Sequence, residues 1–529
     1  MSSTSLNDKE KNPSPEHETT EASLDNAFIK RFPFVGRVLS RLFASGVEAR
    51  GVERVPEDER EVKNMWNKSV AILSASRQLL TVIVGSLLMW WSVNTVLTTL
   101  PIGVLAQEFF FLTLPHAIAT IFCFTALGAV LTSFISTLGP RTGLRTMIIT
   151  RYSSGYIGCT IYSILNILTQ LGFSVTAVIL GGQTLASINP GTLPLVAGVV
   201  IVGICSLVPC FIGYNMVHHY ERYAWMVLFV VMIMLLGLGA HAGYDIDAQK
   251  PFEDKGRALS SDILSFGGIV FGSVAGWAPV AADYNCRLPV NTSTVKVFTL
   301  TFFGLFIPIA FVEILGALLM TITSEAYTEA FKNGGTGGLL GQLLSPWHGF
   351  GKFILFLLAF SVIANNVPNT YSAALSIQAL GRPFAKVPRF LWTLIIFIAY
   401  TVAGVAGREH FAEILSNFLA ILSYWTAFFI VIVAEEHFLF RRPGGKLGGY
   451  NLDDWDAPSK LPLGIAGVSA GCCGVAGAVV GMAEVWYTGP IGVKAGAEFG
   501  ADLGFELAAA FAGVTFPLFR WIEIRYTGR

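Results

Sequence analysis

Charge is scarce in this chain. Only 13% of its 529 residues are Asp, Glu, Lys or Arg, and the 35 basic residues balance 35 acidic ones. A nucleic-acid partner needs an excess of basic surface, so none is expected. Cysteines are few and show no metal-ligand spacing: the seven at 123, 159, 205, 210, 286, 472 and 473 lie in or beside apolar runs. The vicinal pair Cys472-Cys473 cannot easily close an unstrained bridge, and all seven read as small hydrophobes. No phosphate loop, Gly-x-Ser-x-Gly elbow or His-Glu-x-x-His motif is present, so neither an enzyme nor a cofactor or metal is expected. The first 25 or so residues are polar and have no signal-peptide pattern; they read as a disordered cytosolic tail.

What the chain has instead is apolar length. Hydrophobic residues make up 53% of it and mean hydropathy is +0.61, far above a soluble domain. A bilayer core takes roughly 20 apolar residues per helix. Candidate spans run near 89–109, 112–136, 157–183, 193–216, 222–243, 263–284, 295–323, 350–380, 389–407, 411–435, 462–486 and 503–521. The expected fold is all-α: a polytopic membrane protein of about 12 transmembrane helices in the lipid bilayer. Arg141, Arg145, Arg151, Arg222, Arg287, Arg382, Lys386, Arg389, Arg441, Arg442, Lys446 and Lys460 fall in alternate connections. That bias places both termini in the cytosol. The expected organisation is a tail over 1–60, a transport core over 89–435, a cytosolic loop over 436–461, two further spans within 462–521 and a short tail over 522–529. Residues 61–88 are anomalous. Asn64-Met65-Trp66 nearly repeats at Met89-Trp90-Trp91, and about 24 residues between Asn67 and Trp90 read either as an insertion or as a real extension of the first helix.

Carriers built on inverted repeats hold their solute at mid-bilayer, where corresponding helices are interrupted. Here Thr98-Thr99-Leu100-Pro101-Ile102-Gly103 interrupts the first span, and Gly272 to Pro279 interrupts the sixth. Trp277 follows the second break, where its indole could stack on a planar ring or anchor at the lipid interface. Thr99 offers a hydroxyl at the first break, unless it bonds a preceding carbonyl. The eighth span holds Asn365-Asn366-Val367-Pro368-Asn369. Three carboxamides and a proline there are costly unless used, and Pro368 frees a carbonyl so that the helix can open. Neutral amides suit an uncharged, hydrogen-bonding ring. Asn369 is the leading candidate because nothing local in the sequence satisfies a mid-membrane amide, whereas Asn365 and Asn366 could also cap or join helices. Glu221 could take up a coupling proton or pair with Arg222; Asp283 caps or pairs. Asn166, Thr169, Gln170, Ser174 and Gln183 form a stripe that should face the bundle interior.

The motifs carry a resemblance. Arg50 to Arg60, Leu138 to Arg145, Arg151 to Tyr156, Gly181-Gly182-Gln183, His219 to Tyr223, Ala281 to Tyr284, Asn365 to Asn369, Tyr450 to Trp455 and Lys460-Leu461-Pro462 follow in order. They resemble the fungal purine–cytosine permease branch of the nucleobase–cation symporters. The resemblance implies a LeuT-like five-helix inverted repeat plus two C-terminal helices, with proton-coupled import of cytosine, adenine, guanine or hypoxanthine across the plasma membrane. It implies a substrate site drawn from spans one, three, six and eight: Thr99, Trp277, Pro368 and Asn369 match, with Glu221 as a functional acid. Two positions depart from the family pattern, Phe173 for a tryptophan and Ala177 for an amide. They leave open another heterocycle, such as a vitamin B6-like or hydantoin-like ring, or a transport-impaired paralogue.

Overall fold

The computed structural model describes residues 51–60, 87–212, 214–442, 446–497 and 500–529, with Glu59 and 211–224 described by backbone only. Most of the inferred N-terminal tail and residues 61–86 of the insertion-like segment lie outside the described residues.

The chain is a bundle of apolar helices. They are α1 (Leu87–Asn94), α2 (Leu100–Glu108), α3 (Leu114–Ser136), α4 (Arg151–Ala186), α5 (Leu195–Ile212), α6 (Tyr214–Ala242) and α7 (Arg257–Ala275). After them come α8 (Thr294–Leu319), α9 (Glu325–Leu344), α10 (His348–Ala379), α11 (Arg389–Gly407), α12 (Phe411–Glu435), α13 (Ile465–Gly481) and α14 (Gly504–Thr527). Among the described residues nine stretches are long and apolar enough to cross a membrane, and the bent pair formed by α1 and α2 makes a tenth. α5 and α13 are apolar but shorter. Large side chains such as Phe122, Ile157, Leu168, Val402 and Val514 point outward, as lipid-facing residues do.

The two interruptions are real, with one shift of position. α1 and the segment Leu97–Glu108 meet at 64°. The break falls at Thr95-Val96, where Val96 is extended (φ −134°), rather than at Thr98–Gly103. Pro101 sits in the first turn of α2, where a helix needs no donor; it starts that helix instead of breaking one. The sixth span ends as a helix at Ala275 and continues as a 3-10 turn over Ala278–Val280. By contrast α10 runs unbroken through Pro368. The eleventh span stops at Gly481, and a small antiparallel hairpin of β1 (Ala483–Glu484) and β2 (Tyr487–Thr488) takes up the rest.

In lipid, apolar contact alone does not draw helices together, so close backbone approach does. α13 buries only Ala and Gly: Ala466, Gly467, Ala470, Gly471, Gly474, Gly477, Ala478 and Gly481. A Cβ on Gly477 would lie 2.3 Å from the Leu507 carbonyl oxygen of α14. Near the chain's C-terminal end α14 is tied by charge to the segment that follows α12. Arg520, fully buried, donates to both Glu436 oxygens (2.9 and 3.1 Å) and to Glu523 (3.1 Å), and Arg441 donates to Glu436 at 2.7 Å. Arg520 also donates to the Arg529 carbonyl oxygen, and Arg54 lies 3.9 Å from Asp453. The described N-terminal segment and the C-terminus therefore share one end of the bundle, called the inner end after the orientation expected from its basic loops.

Glu436→Ala leaves buried Arg441 without a carboxylate partner and buried Arg520 with Glu523 alone. It is expected to lower stability by about 3–5 kcal/mol. Detergent-solubilised protein should show this as an earlier thermal transition; an unchanged transition would mean that the cluster is solvated.

Candidate functional site

Breaking a helix at mid-membrane leaves backbone groups that water cannot reach. At the α1–α2 break side chains take them. Asn365 Nδ2 donates to the Val93 carbonyl oxygen (3.0 Å), the Leu97 amide donates to Ser361 Oγ (3.2 Å), and Thr99 Oγ1 donates to the Asn94 carbonyl oxygen (3.1 Å). The second break is joined to the first. Trp277 Nε1 donates to Asn94 Oδ1 at 3.0 Å, while Asn94 Nδ2 donates back to the Trp90 carbonyl oxygen at 2.8 Å.

These groups surround a cavity of about 30 Å³ lined by Asn94, Thr98, Thr99, Ile102, Phe173, Thr176, Ser273, Trp277, Ile309, Asn365 and Leu415. Its lining comes from the first, third, sixth, seventh, eighth and tenth spans. Trp277 and Phe173 supply aromatic surface; Phe173 is held edge-on against Phe418, centroids 5.0 Å apart. Asn94, Asn365, Thr99 and Ser273 supply neutral donors and acceptors. The volume is about that of one water, well below the several hundred Å³ of a small-molecule pocket. A ring can enter only if the walls part.

Among the described residues a wide approach opens from one side. A cavity of about 1410 Å³ opens at the end of the bundle away from the termini, bordered by Pro101, Val104, Glu108, Gln183, Lys332 and Lys352 among others. It reaches α2 residues on either side of Ile102, which lines the small cavity. Toward the inner end the way is packed shut. Arg145 donates to the Gly51 carbonyl oxygen (3.0 Å) and to Tyr371 (3.2 Å), and lies 3.9 Å from Asp283. Asp283 accepts the Thr146 amide at 2.7 Å, the cap-and-pair role expected for it. Arg60 donates to the carbonyl oxygens of Val55, Pro140 and Thr142 at 2.8–3.1 Å.

The expected site residues separate into groups. Thr99, Phe173, Trp277 and Asn365 meet at the cavity. Asn369 does not line it, and a local group does satisfy it: Asn365 Oδ1, one turn earlier, accepts its amide at 3.1 Å. The side chain stands behind Asn365 because residues four apart share a helix face. Asn366 turns the other way, toward Tyr400 of α11, and makes no hydrogen bond of ordinary geometry. Pro368 is buried within α10 and Ala177 within α4, neither at the cavity. Glu221 lies in α6, where the side chain is outside the described residues. The α4 stripe faces inward as expected: Asn166 donates to Ser376 (2.8 Å), Gln170 donates to Asn166 (2.9 Å), and Thr169 accepts from Trp425 (3.1 Å).

Sequence reasoning missed Asn94, Ser273 and Thr176 at the cavity, and Trp90. The Trp90 ring is fully buried, edge-on to Trp277 and Tyr284 at 5.6 and 5.1 Å. Asn94 could have been found as an amide inside an apolar run just before the break.

Two interrupted helices facing each other across a small, polar-lined cavity are the arrangement of a transporter of the LeuT-like fold. Mhp1, a nucleobase-cation-symport-1 family transporter solved in a closed conformation with bromovinylhydantoin bound, has the same fold: TM-score 0.60 at 15% identity, covering 84% of this chain and 92% of that one. A family model described as a permease for cytosine/purines, uracil, thiamine and allantoin matches residues 81–505, and the chain belongs to that family. It is similar to a purine-cytosine permease of Emericella nidulans, 37% identical over 99% of both chains. It is also similar to a vitamin B6 transporter of Saccharomyces cerevisiae, 31% identical over 92% of this chain and 89% of that one. The protein is thus a membrane permease and not an enzyme.

Asn365→Ala removes the partner of both Val93 and Asn369. It is expected to destabilise by about 1–3 kcal/mol, whereas Asn366→Ala removes no well-made bond and loses less. Thermal unfolding of the two variants side by side checks the order; equal losses would contradict the bonding described.

Proposed function

We propose that the protein imports nucleobases, cytosine or purines such as adenine, guanine and hypoxanthine, by proton symport across the plasma membrane, with both termini cytosolic. The observation that carries this reading is the pairing of Trp277 and Phe173 with Asn94, Thr99, Ser273 and Asn365 around one cavity. A nucleobase is flat, uncharged and ringed with donors and acceptors. Aromatic walls take its faces, and amides and hydroxyls take its edges. The purine-cytosine permease of Emericella nidulans supports the substrate class. The basic residues clustered at the inner end support the orientation, since positive loops stay in the cytosol. Loading from outside then begins at the open vestibule beyond α2, and release needs the Arg145 and Arg60 contacts to part. Thr99, Phe173, Trp277 and Asn365 touch the ring, with Asn369 holding Asn365; Pro368 and Ala177 shape their helices from behind. Glu221 keeps the role of a functional acid.

A vitamin B6-like ring is the second reading. Phe173 and Ala177 depart from the nucleobase pattern, and a vitamin B6 transporter is among the relatives. A competition panel against one labelled base separates the two.

Expression in a fungal strain without its own nucleobase uptake should restore accumulation of labelled cytosine or adenine, more at acid pH and abolished by a protonophore. Protein at the surface that accumulates no purine, pyrimidine or related vitamin would refute the reading. Trp277→Ala should raise the apparent KM about ten- to a hundredfold, the loss of one base–aromatic stack. An unaltered KM would mean that the indole does not meet substrate.

A further inference from the structure

The lining hydroxyl of Ser273 leads to a group that the sequence reading passed over. Glu313, six residues before the C-terminal end of α8, is fully buried. Ser273 Oγ lies 2.9 Å from its Oε1, and Thr125 Oγ1 lies 3.4 Å from its Oε2. Among the described residues no lysine, arginine or histidine pairs with it. α2 presses directly on the turn that carries it, since a Cβ on Gly103 would fall 1.7 Å from the Glu313 carbonyl oxygen. α6 presents Phe229, against Phe311. Among the described side chains of these helices, Glu108, His116, Arg257, Asp262 and His241 stand toward the ends away from the termini, with His116 paired to Glu253, Lys296 lies near the opposite end of α8, and Cys123 is exposed; the α6 side chains over 214–224 are outside the described residues. None of them faces the carboxyl.

A carboxylate buried in a membrane bundle without a counter-ion is expensive, and such groups belong to ion or proton pathways by default. The hydroxyl geometry adds a second argument. Ser273 Oγ is also 2.8 Å from the Val270 carbonyl oxygen, so one hydrogen has two acceptors within reach. When the carboxyl carries a proton, it can donate to Ser273 Oγ while Ser273 donates to Val270. When the carboxyl is ionised, the Ser273 hydrogen must turn to it and leave Val270. The state of Glu313 is therefore written into a side chain that lines the cavity.

We propose that Glu313 is the proton-binding site of the transport cycle, coupled to the solute cavity through Ser273. The proton enters from the outer aqueous side with the solute and binds a Glu313 oxygen. Closure of the outer path removes water, and the neutral acid is the form that closure tolerates. Opening of the inner path rehydrates the carboxyl, and the same proton leaves to the cytosol.

This rests on the proton-symport reading, and the test keeps the two apart. Full-length protein in proteoliposomes is given an outward-acid pH gradient. Accumulation of labelled cytosine and adenine is followed, together with exchange of labelled for unlabelled base at equal pH. Wild type should accumulate in response to the gradient; a wild type indifferent to it overturns the symport reading and this proposal with it. Glu313→Gln keeps the shape and removes the titratable proton. It should lose accumulation by about tenfold or more, in the usual range for coupling between two sites, while exchange persists. If wild type responds and Glu313→Gln accumulates with the same gradient dependence, Glu313 is not the site and proton symport stands. Should that variant not fold, Thr125→Val decides. Loss of its hydroxyl removes a donor to the ionised carboxyl, so the half-maximal pH of accumulation should move in the alkaline direction by about half a unit or more. An unmoved profile overturns the proposal.

Discussion

The structure depends on one constraint: a helix opened at mid-membrane must have its freed backbone groups answered by protein. At Thr95-Val96 the Val93 carbonyl is answered by Asn365, the Leu97 amide by Ser361, and the Asn94 carbonyl by Thr99. Two of those three partners lie on α10, which is why that helix carries amides and hydroxyls within an apolar run. Asn94 then reaches across to Trp277, so the first break and the sixth-span break are held as one unit. The polarity that makes the chain a poor lipid-facing surface at this depth is what makes the cavity.

Much of this was legible because polar residues at membrane depth are rare enough to stand out. Asn365 and Trp277 could be read directly, as could the interruption of the sixth span. The errors have physical causes too. Pro101 was read as a breaker, but in a first turn proline obeys the helix, so the break lies five residues earlier. Asn369 looked unsatisfied because sequence shows spacing but not which of two amides faces inward; four residues apart, Asn365 covers it. Ala177 came from resemblance, which carries positions but not their exposure, and Pro368 was expected to open a helix that in fact runs on through it. Glu313 is the plainest further signal, a lone acid inside an apolar helix rather than at a helix end.

Two kinds of attachment divide the bundle along its length. Within the membrane, α13 and α14 approach through a stripe of Gly and Ala that lets backbones touch, as Gly103 and Gly316 do between α2 and α8. At the inner end, charge takes over: Glu436 holds Arg520 and Arg441, and Arg145 and Arg60 gather the chain from Gly51 to the loop after α3. Small-residue contacts lose little when helices slide slightly. Directed ionic contacts release all at once. The inner end is therefore suited to two discrete states, and the vestibule at the opposite end, bordered largely by the glycine-rich α9, to gradual closure.

The size of the central cavity gives this division its consequence. At about 30 Å³ it has room for no ring. A solute must open it, and its stacking against Trp277 and Phe173 must repay that opening. Opening at Trp277 pulls on Asn94, and opening at Asn365 pulls on the Val93 carbonyl, so the groups a ring would displace are those that define both helix breaks. Occupancy and helix angle are then linked by the same hydrogen bonds, and a solute that fits shifts the balance between closed and open bundles by its differential contact with each. A ring too small to reach both Trp277 and Asn365 would leave that balance where it stands, which makes selectivity a property of the cycle as much as of the cavity wall.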